Sequence, residues 1–294
     1  MIVTNEDLQD FLDRCMLMDI EPSFDEYDSV KYNFHVSTQY LITRWKADSE
    51  VVIIPEFIFG IAEEAFQGEN AQSIRQIDLS YARHIKNLPA GVFKGLKNLE
   101  SVIFHDQIES IGENTFKDCV KLKEFIAPPK LKTLNGSCFR GCTSMDTVVL
   151  NEGLKLIGVQ AFMGTGISEI RIPNSVTGVH SRSFCDCPNL KLVVFGDNSE
   201  SQTRNINGGV FEYCTALEEV NMSNMQYQGL GKDYLFYGCN KLKTVKLPKH
   251  GLKVGNFAFG HCNSLIDMDA SQIETTSYTD YDFLKSLGYQ GEKK

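Results

Sequence analysis

The chain has 294 residues, 42% hydrophobic and 23% charged, with a formal net charge of −9. That length allows one large domain or two ordinary ones. The acidic balance argues against a nucleic-acid partner, which needs a basic footprint to displace counterions, and the lack of any apolar run of about 18 residues excludes a membrane-spanning helix.

The chain starts Met-Ile-Val-Thr-Asn-Glu, without the basic start and apolar core of a secretory signal. The expected location is inside the cell for the chain as it stands, or at the surface or outside if a leader has been removed. Thr4 and Asp7 make a capping-box-like start, with Val3 and Leu8 at the staple positions. Leu8, Phe11, Leu12, Cys15 and Met16 then follow helical spacing, and Pro22 ends the pattern. Residues 1–35, with nine acidic and two basic side chains, read as an N-terminal helical cap or, alternatively, a small helix that binds a partner. Residues 23–50 read as irregular strand pairs.

A repeat follows. Phe66, Phe93, Phe116, Phe139, Phe162, Phe184, Phe211, Phe236 and Phe259 are separated by 27, 23, 23, 23, 22, 27, 25 and 23 residues. Three residues after this marker stands Cys119, Cys142, Cys187, Cys214, Cys239 or Cys262; six after it Leu99, Leu122, Met145, Leu190, Leu217, Leu242 or Leu265; nine after it Val102, Phe125, Val148, Val193, Val220, Val245 or Met268. The unit after Phe162 is one residue short, so Ile167 and Ile170 take the two later positions. A period near 23 falls within the leucine-rich-repeat range, and the run from Leu122 to Ala127 has the form of its strand. One such unit cannot bury its own apolar face; stacking turns each repeated position into an internal column. The expected fold class is α/β repeat: a right-handed leucine-rich-repeat solenoid with a parallel β-sheet on one face and terminal caps, with about nine repeats over residues 36–272. Residues 273–294 form a C-terminal cap or tail, in which residues 280–287, followed by Gly288, read as a short helix covering the last repeat.

The unit A-F-x-x-C-x-x-L, as in Ala258-Phe-Gly-His-Cys-Asn-Ser-Leu265, with Ile172-Pro-Asn-Ser-Val176 and Gly158-Val-Gln-Ala-Phe162, resembles the BspA-like family of leucine-rich repeats. The resemblance covers about residues 40–272, with Thr165 and Leu96 standing where other units have cysteine. It implies adhesion and protein–protein contact, often at a cell surface, and it transfers no catalytic residue.

Nine cysteines is an odd number, which excludes a complete disulfide framework. Six are in phase with the core columns and read as packing groups; a bridge such as Cys119 to Cys142 is open by distance but demanding in geometry. Cys185, beside Phe184, is expected to lean outward. His180, Cys185, Asp186 and Cys187 suggest zinc, yet Cys187 belongs to the core column and structural zinc needs four converging ligands. No H-E-x-x-H, phosphate loop or G-x-S-x-G occurs, and Gly229 and Gly231 replace an ordinary turn. No catalytic residue, cofactor or metal is expected.

In the repeat strand alternate residues point away from the core. The candidate partner-binding residues are therefore Ile103, Glu124, Ile126, Thr147, Val149, Glu169, Arg171, Leu192, Val194, Glu219, Asn221, Thr244 and Lys246. Ile103, Ile126 and Val149 form an apolar stretch, which reads either as an interaction surface or as the ordinary preference of β-branched residues for strands. The polar insertion 196–205 is a contact loop or a tolerated one. The expected function is a non-catalytic protein-interaction or adhesion module. The alternative is a carbohydrate or cell-envelope glycan binder, which would want aromatics along the sheet, where the outward positions have none.

Overall fold

The computed structural model describes residues 34–36, 41–45, 49–196, 203, 205–225, 232–275 and 279–289. The expected N-terminal helix, Gly229 and Gly231, and most of the 196–205 insertion lie outside them.

Strands β1 (Phe34–Val36) and β2 (Leu41–Trp45) pair antiparallel at the start. Each following coil supplies a longer strand and a two-residue one. These are β3 (Val51–Ile53) with β4 (Gly60–Ile61), β5 (Gln76–Asp78) with β6 (Asn87–Leu88), and β7 (Ser101–Ile103) with β8 (Ser110–Ile111). Next come β9 (Glu124–Ile126) with β10 (Thr133–Leu134), β11 (Thr147–Val149) with β12 (Leu156–Ile157), β13 (Glu169–Ile172) with β14 (Gly178–Val179), and β15 (Leu192–Phe195) with β16 (Asn205–Ile206). Strands β17 (Glu219–Asn221), β18 (Thr244–Lys246), β19 (Leu252–Val254) and β20 (Ile273–Thr275) finish the stack, before helix α1 (Tyr281–Ser286). The repeat strands pair in parallel, and the coils form a β-solenoid of about nine turns with little helix.

The marker phenylalanines explain why the coils stack. All nine are between 0% and 2% exposed. Their rings form one continuous column, with successive centroids 5.1 to 5.8 Å apart from Phe66 to Phe259. Trp45 extends it below Phe66 at 5.8 Å. The column cysteines sit beside it. Each donates its thiol to the carbonyl of the preceding coil's marker, as Cys119 does to Phe93 and Cys142 to Phe116, both at 3.1 Å. Where Thr165 replaces cysteine, its hydroxyl bonds the Phe162 carbonyl of its own coil at 2.9 Å.

Two features differ from the sequence reading. The long-strand sheet is not continuous: ladders join β3-β5-β7, β9-β11 and β13-β15-β17-β18 separately. A second sheet runs unbroken through β6-β8-β10-β12-β14-β16, with residues such as Ile111, Leu134 and Ile157 in register. Cys185 also departs from expectation: it is 3% exposed, because the chain there is a turn rather than a strand and neighbouring side chains need not alternate.

A third hydrogen-bonded face lies on the marker turns. From the second coil to the ninth, the residues two before and two after the marker have φ between 53° and 78°. Their N–H groups and the marker's own donate forward, so that Asn114, Phe116 and Asp118 bond the carbonyls of Gly136, Cys138 and Arg140. Because these N–H groups all point toward the C-terminal end, their dipoles add rather than cancel.

Candidate functional site

The sheet face is built by the alternation of the repeat strand. Phe125, Ile170, Val193, Val220 and Val245 turn inward and are buried, while Val102 and Val148 are half-buried. Their neighbours turn out. The ladders bring the sequence-predicted residues together in rows. Glu124 pairs with Thr147 and Ile126 with Val149. Glu169, Leu192, Glu219 and Thr244 form one row of the four-stranded sheet, and Arg171, Val194, Asn221 and Lys246 the other. Ile103 stands apart, paired to Asp78 on the earlier sheet.

The two ends of the face differ in chemistry. On the later coils the polar side chains engage one another: Lys246 pairs with Glu219 at 3.0 Å, and Asn221 accepts from the Ser223 backbone and hydroxyl at 3.1 and 2.7 Å. Val194 and Leu192, on the neighbouring strand β15, are half-buried. On the earlier coils Ile103, Ile126 and Val149 are 41%, 57% and 53% exposed.

Where β7 and β9 part, a cleft of about 390 Å³ opens, lined by Ile103, Phe104, Ile126, Ala127, Pro128 and Pro129, with Glu124, His105 and Asp106 as its polar members. The coils are tied on both sides of it. The Lys123 N–H donates to the Glu100 carbonyl at 3.2 Å, and the Lys132 N–H to Glu109 at 2.8 Å. The Lys123 ammonium bridges to Glu100 at 2.6 Å, which holds the Glu100 carboxyl below its usual range. Phe104 turns edge-on to Phe116 of its own coil and to Phe125 of the next, at 6.1 and 5.9 Å. The two prolines on the far wall have no N–H to donate across the gap. His105 accepts from the Gln107 N–H through Nδ1 at 3.0 Å; burial lowers its pKa, against the opposing pull of the Ile85 and Ala82 carbonyls. The cleft thus sets an apolar wall of Ile103, Phe104, Ile126, Ala127 and the two prolines against a polar side of Glu124, His105 and Asp106.

The residues raised for zinc do not converge: Cys187 gives its thiol to the Phe162 carbonyl at 3.2 Å, and among the described residues no group of three His, Cys, Asp or Glu side chains is placed to hold a metal. A second exposed apolar group, unforeseen in the sequence reading, lies on the marker turns of the last coils, where Tyr213, Tyr234 and Phe257 stand out from the stack.

A family model described as BspA type Leucine rich repeat region matches in six copies over residues 60–191 and 204–288, more than half of the chain. The chain belongs to this family. Among solved structures, this BspA-type chain is similar to the T. pallidum leucine-rich repeat protein TpLRR, at 21% identity and a TM-score of 0.48, covering 89% of this chain and 95% of that one. It is also similar to a leucine rich cell surface protein from Faecalibacterium prausnitzii, at 16% identity and a TM-score of 0.45, covering 88% and 96%. A leucine-rich repeat protein from Bacteroides ovatus is 21% identical, with a TM-score of 0.36 and coverage of 83% and 74%. No curated protein matches. Proteins of the BspA-type family typically mediate protein interaction or adhesion and are generally non-enzymatic, and no described helix here is long and apolar enough to cross a membrane.

Proposed function

We propose that this BspA-type chain is a non-catalytic interaction module that holds a partner protein on its sheet face, with Ile103, Ile126 and Val149 at the centre of the contact. One observation carries the reading: three aliphatic side chains on consecutive coils are 41%, 57% and 53% exposed, and two of them, Ile103 and Ile126, line a cleft with Phe104, Pro128 and Pro129. Strand propensity explains β-branched residues there but not the adjoining cleft. A partner side chain entering the cleft would be desolvated on several sides, the setting in which interface residues contribute most. The outward residues Glu124, Thr147, Glu169, Arg171, Leu192, Val194, Glu219, Asn221, Thr244 and Lys246 then form the rest of the surface and its rim. In the same reading residues 1–35 and 273–294 close the ends of the stack; the burial of Leu284 and Tyr289 with the core supports the second of these.

The test is photo-crosslinking from position 126 in the whole protein, beside the same probe at position 155 away from the sheet, with any captured protein then assayed in purified form. The expected result is one partner captured from position 126, and loss of its binding in the variant carrying Ile126→Glu and Val149→Glu at unchanged thermal midpoint. Unchanged binding by that variant would remove this face.

A further inference from the structure

The left-handed turn positions are filled in two ways. In coils two to five they hold Gly91, Gly95, Asn114, Asp118, Ser137, Gly141, Gln160 and Gly164, small or polar residues, several of which adopt positive φ at low cost. In the last three coils four of the six such positions hold Tyr213, Tyr234, Phe257 and His261, with φ of 60°, 60°, 53° and 62°, and the other two are Gly209 and Gly238. A bulky aromatic in that region is strained, and stacking does not require it, since the earlier coils do without. These rings also stay outside: Tyr213, Tyr234 and Phe257 are 45%, 37% and 40% exposed.

The rings form an ordered platform. Tyr237 lies at the centre, edge-on to Tyr213 and Tyr234 at 5.5 Å and to His261 at 5.1 Å. Tyr234 and Phe257 lie nearly parallel at 5.6 Å. Glycines form the floor: a Cβ on Gly238 would lie 2.6 Å from the Tyr213 ring, and one on Gly260 would lie 2.7 Å from the Tyr237 ring. The Tyr213 and Tyr237 rings thus rest on the bare backbone of the next coil, while Tyr234 rests on the Phe257 ring.

The charge around the platform is negative. Residues 181–186, 208–213, 233–238 and 256–261 contain Asp186, Glu212 and Asp233 against Arg182 alone. Arg182 is spent on Glu212 at 3.0 Å; Asp186 and Asp233 are exposed, Asp233 following Lys232 in the chain and accepting the Asn256 N–H through one oxygen at 2.7 Å. The marker turns of coils two to four are more balanced, with Lys94, Lys117 and Arg140 against Glu113 and Asp118. Exposed aromatic side chains beside two exposed carboxylates favour a cation, which gains from the ring quadrupole and from the charge together.

We propose that the marker-turn face of coils seven to nine is a second binding site, separate from the sheet face, that takes the lysine or arginine side chains of a basic segment of a partner protein. The test is fluorescence anisotropy of a labelled tetra-arginine peptide on the whole protein. The comparison variant carries Tyr213→Asn, Tyr234→Asn and Phe257→Asn, because asparagine tolerates the left-handed backbone. The expected result is binding by the parent, weakened about ten-fold or more in the triple variant at an unchanged thermal midpoint. Asp186→Asn with Asp233→Asn should weaken it further and flatten its salt dependence, while Ile126→Glu with Val149→Glu leaves it intact, which separates this site from the sheet face. Equal binding by parent and triple variant, no binding by the parent, or a parent that binds a neutral cello-oligosaccharide on these rings but not the peptide would each overturn the proposal.

Discussion

The Asp280 carboxylate accepts a hydrogen bond from the Phe259 N–H at 3.4 Å, beside the 2.8 Å bond from the Phe257 N–H to the Thr279 hydroxyl. These acceptors sit where the one-way ladder of marker-turn amides runs out, and Asp280 is 3% exposed. Burial raises its pKa above the ordinary 3.8, although the Phe259 and Ala258 amides pull the other way. A carboxyl whose folded pKa is raised contributes stability that is fully present below its unfolded pKa and is lost as pH rises through the folded value. Asp280→Asn removes that ionisation and keeps an acceptor oxygen. Its stability relative to the parent should therefore climb between about pH 4 and pH 7, whereas Asp280→Ala should be the less stable protein at both. Urea unfolding of the three proteins at the two pH values measures this. A parent-to-Asn difference that stays flat, or falls, contradicts the assignment.

The thiols provide a second prediction. Cys119, Cys185 and Cys262 are pushed up to about 12 by burial, and Cys142 and Cys239 also lie well above the usual range. Thiolate is the reactive form, so these groups should be inert at pH 8. Eight of the cysteines are buried and unbridged, and Cys15 lies outside the described residues. A maleimide pulse on the native protein should add at most one label, and the same pulse in denaturant nine. Mass spectrometry reads the difference; several labels on the native protein would mean that the columns are open.

How far the sequence could be read follows from element length. The Phe and Cys columns were legible because a large or distinctive side chain marked each coil at nearly constant spacing. The second sheet was not, because strands of two residues, such as Ser110–Ile111, are too short for alternation to register. The left-handed turns were hidden as well, since Ser137, Gln160 and Arg182 carry no glycine signal for a positive φ. The outward positions follow from alternation along each strand, but the parting of β7 from β9 depends on how Phe104 packs across coils, which periodicity does not record.

The stacked rings should couple only locally. Phe139 stacks on Phe116 and Phe162 at 5.3 and 5.4 Å and touches Phe125 at 4.5 Å. Phe139→Ala should cost about 3–5 kcal/mol. Combined with Phe162→Ala, the loss should depart from the sum by more than about 0.5 kcal/mol; combined with the distant Phe236→Ala, it should add within that margin. Denaturant titrations of the single and double variants measure both cycles, and equal coupling in the two would argue against a nearest-neighbour stack.

Glycine sets how closely successive coils approach at one corner. A Cβ on Gly158 would lie 2.7 Å from the Asn135 carbonyl carbon and 2.8 Å from the Leu134 oxygen and the Gly136 nitrogen; one on Gly112 would lie 2.5 Å from the Leu88 oxygen. Those neighbours are backbone, and the same coils are tied there by the Gly158 N–H donating to Leu134 at 2.8 Å, so no side chain can swing away. Gly158→Ala should therefore destabilise the protein by about 1–3 kcal/mol despite alanine's lower backbone entropy cost. Gly68→Ala, where a Cβ meets nothing within 4 Å, should be neutral or slightly stabilising. Thermal melts of the two variants separate close approach from chain flexibility: equal, favourable shifts would show that the corner has room to spare.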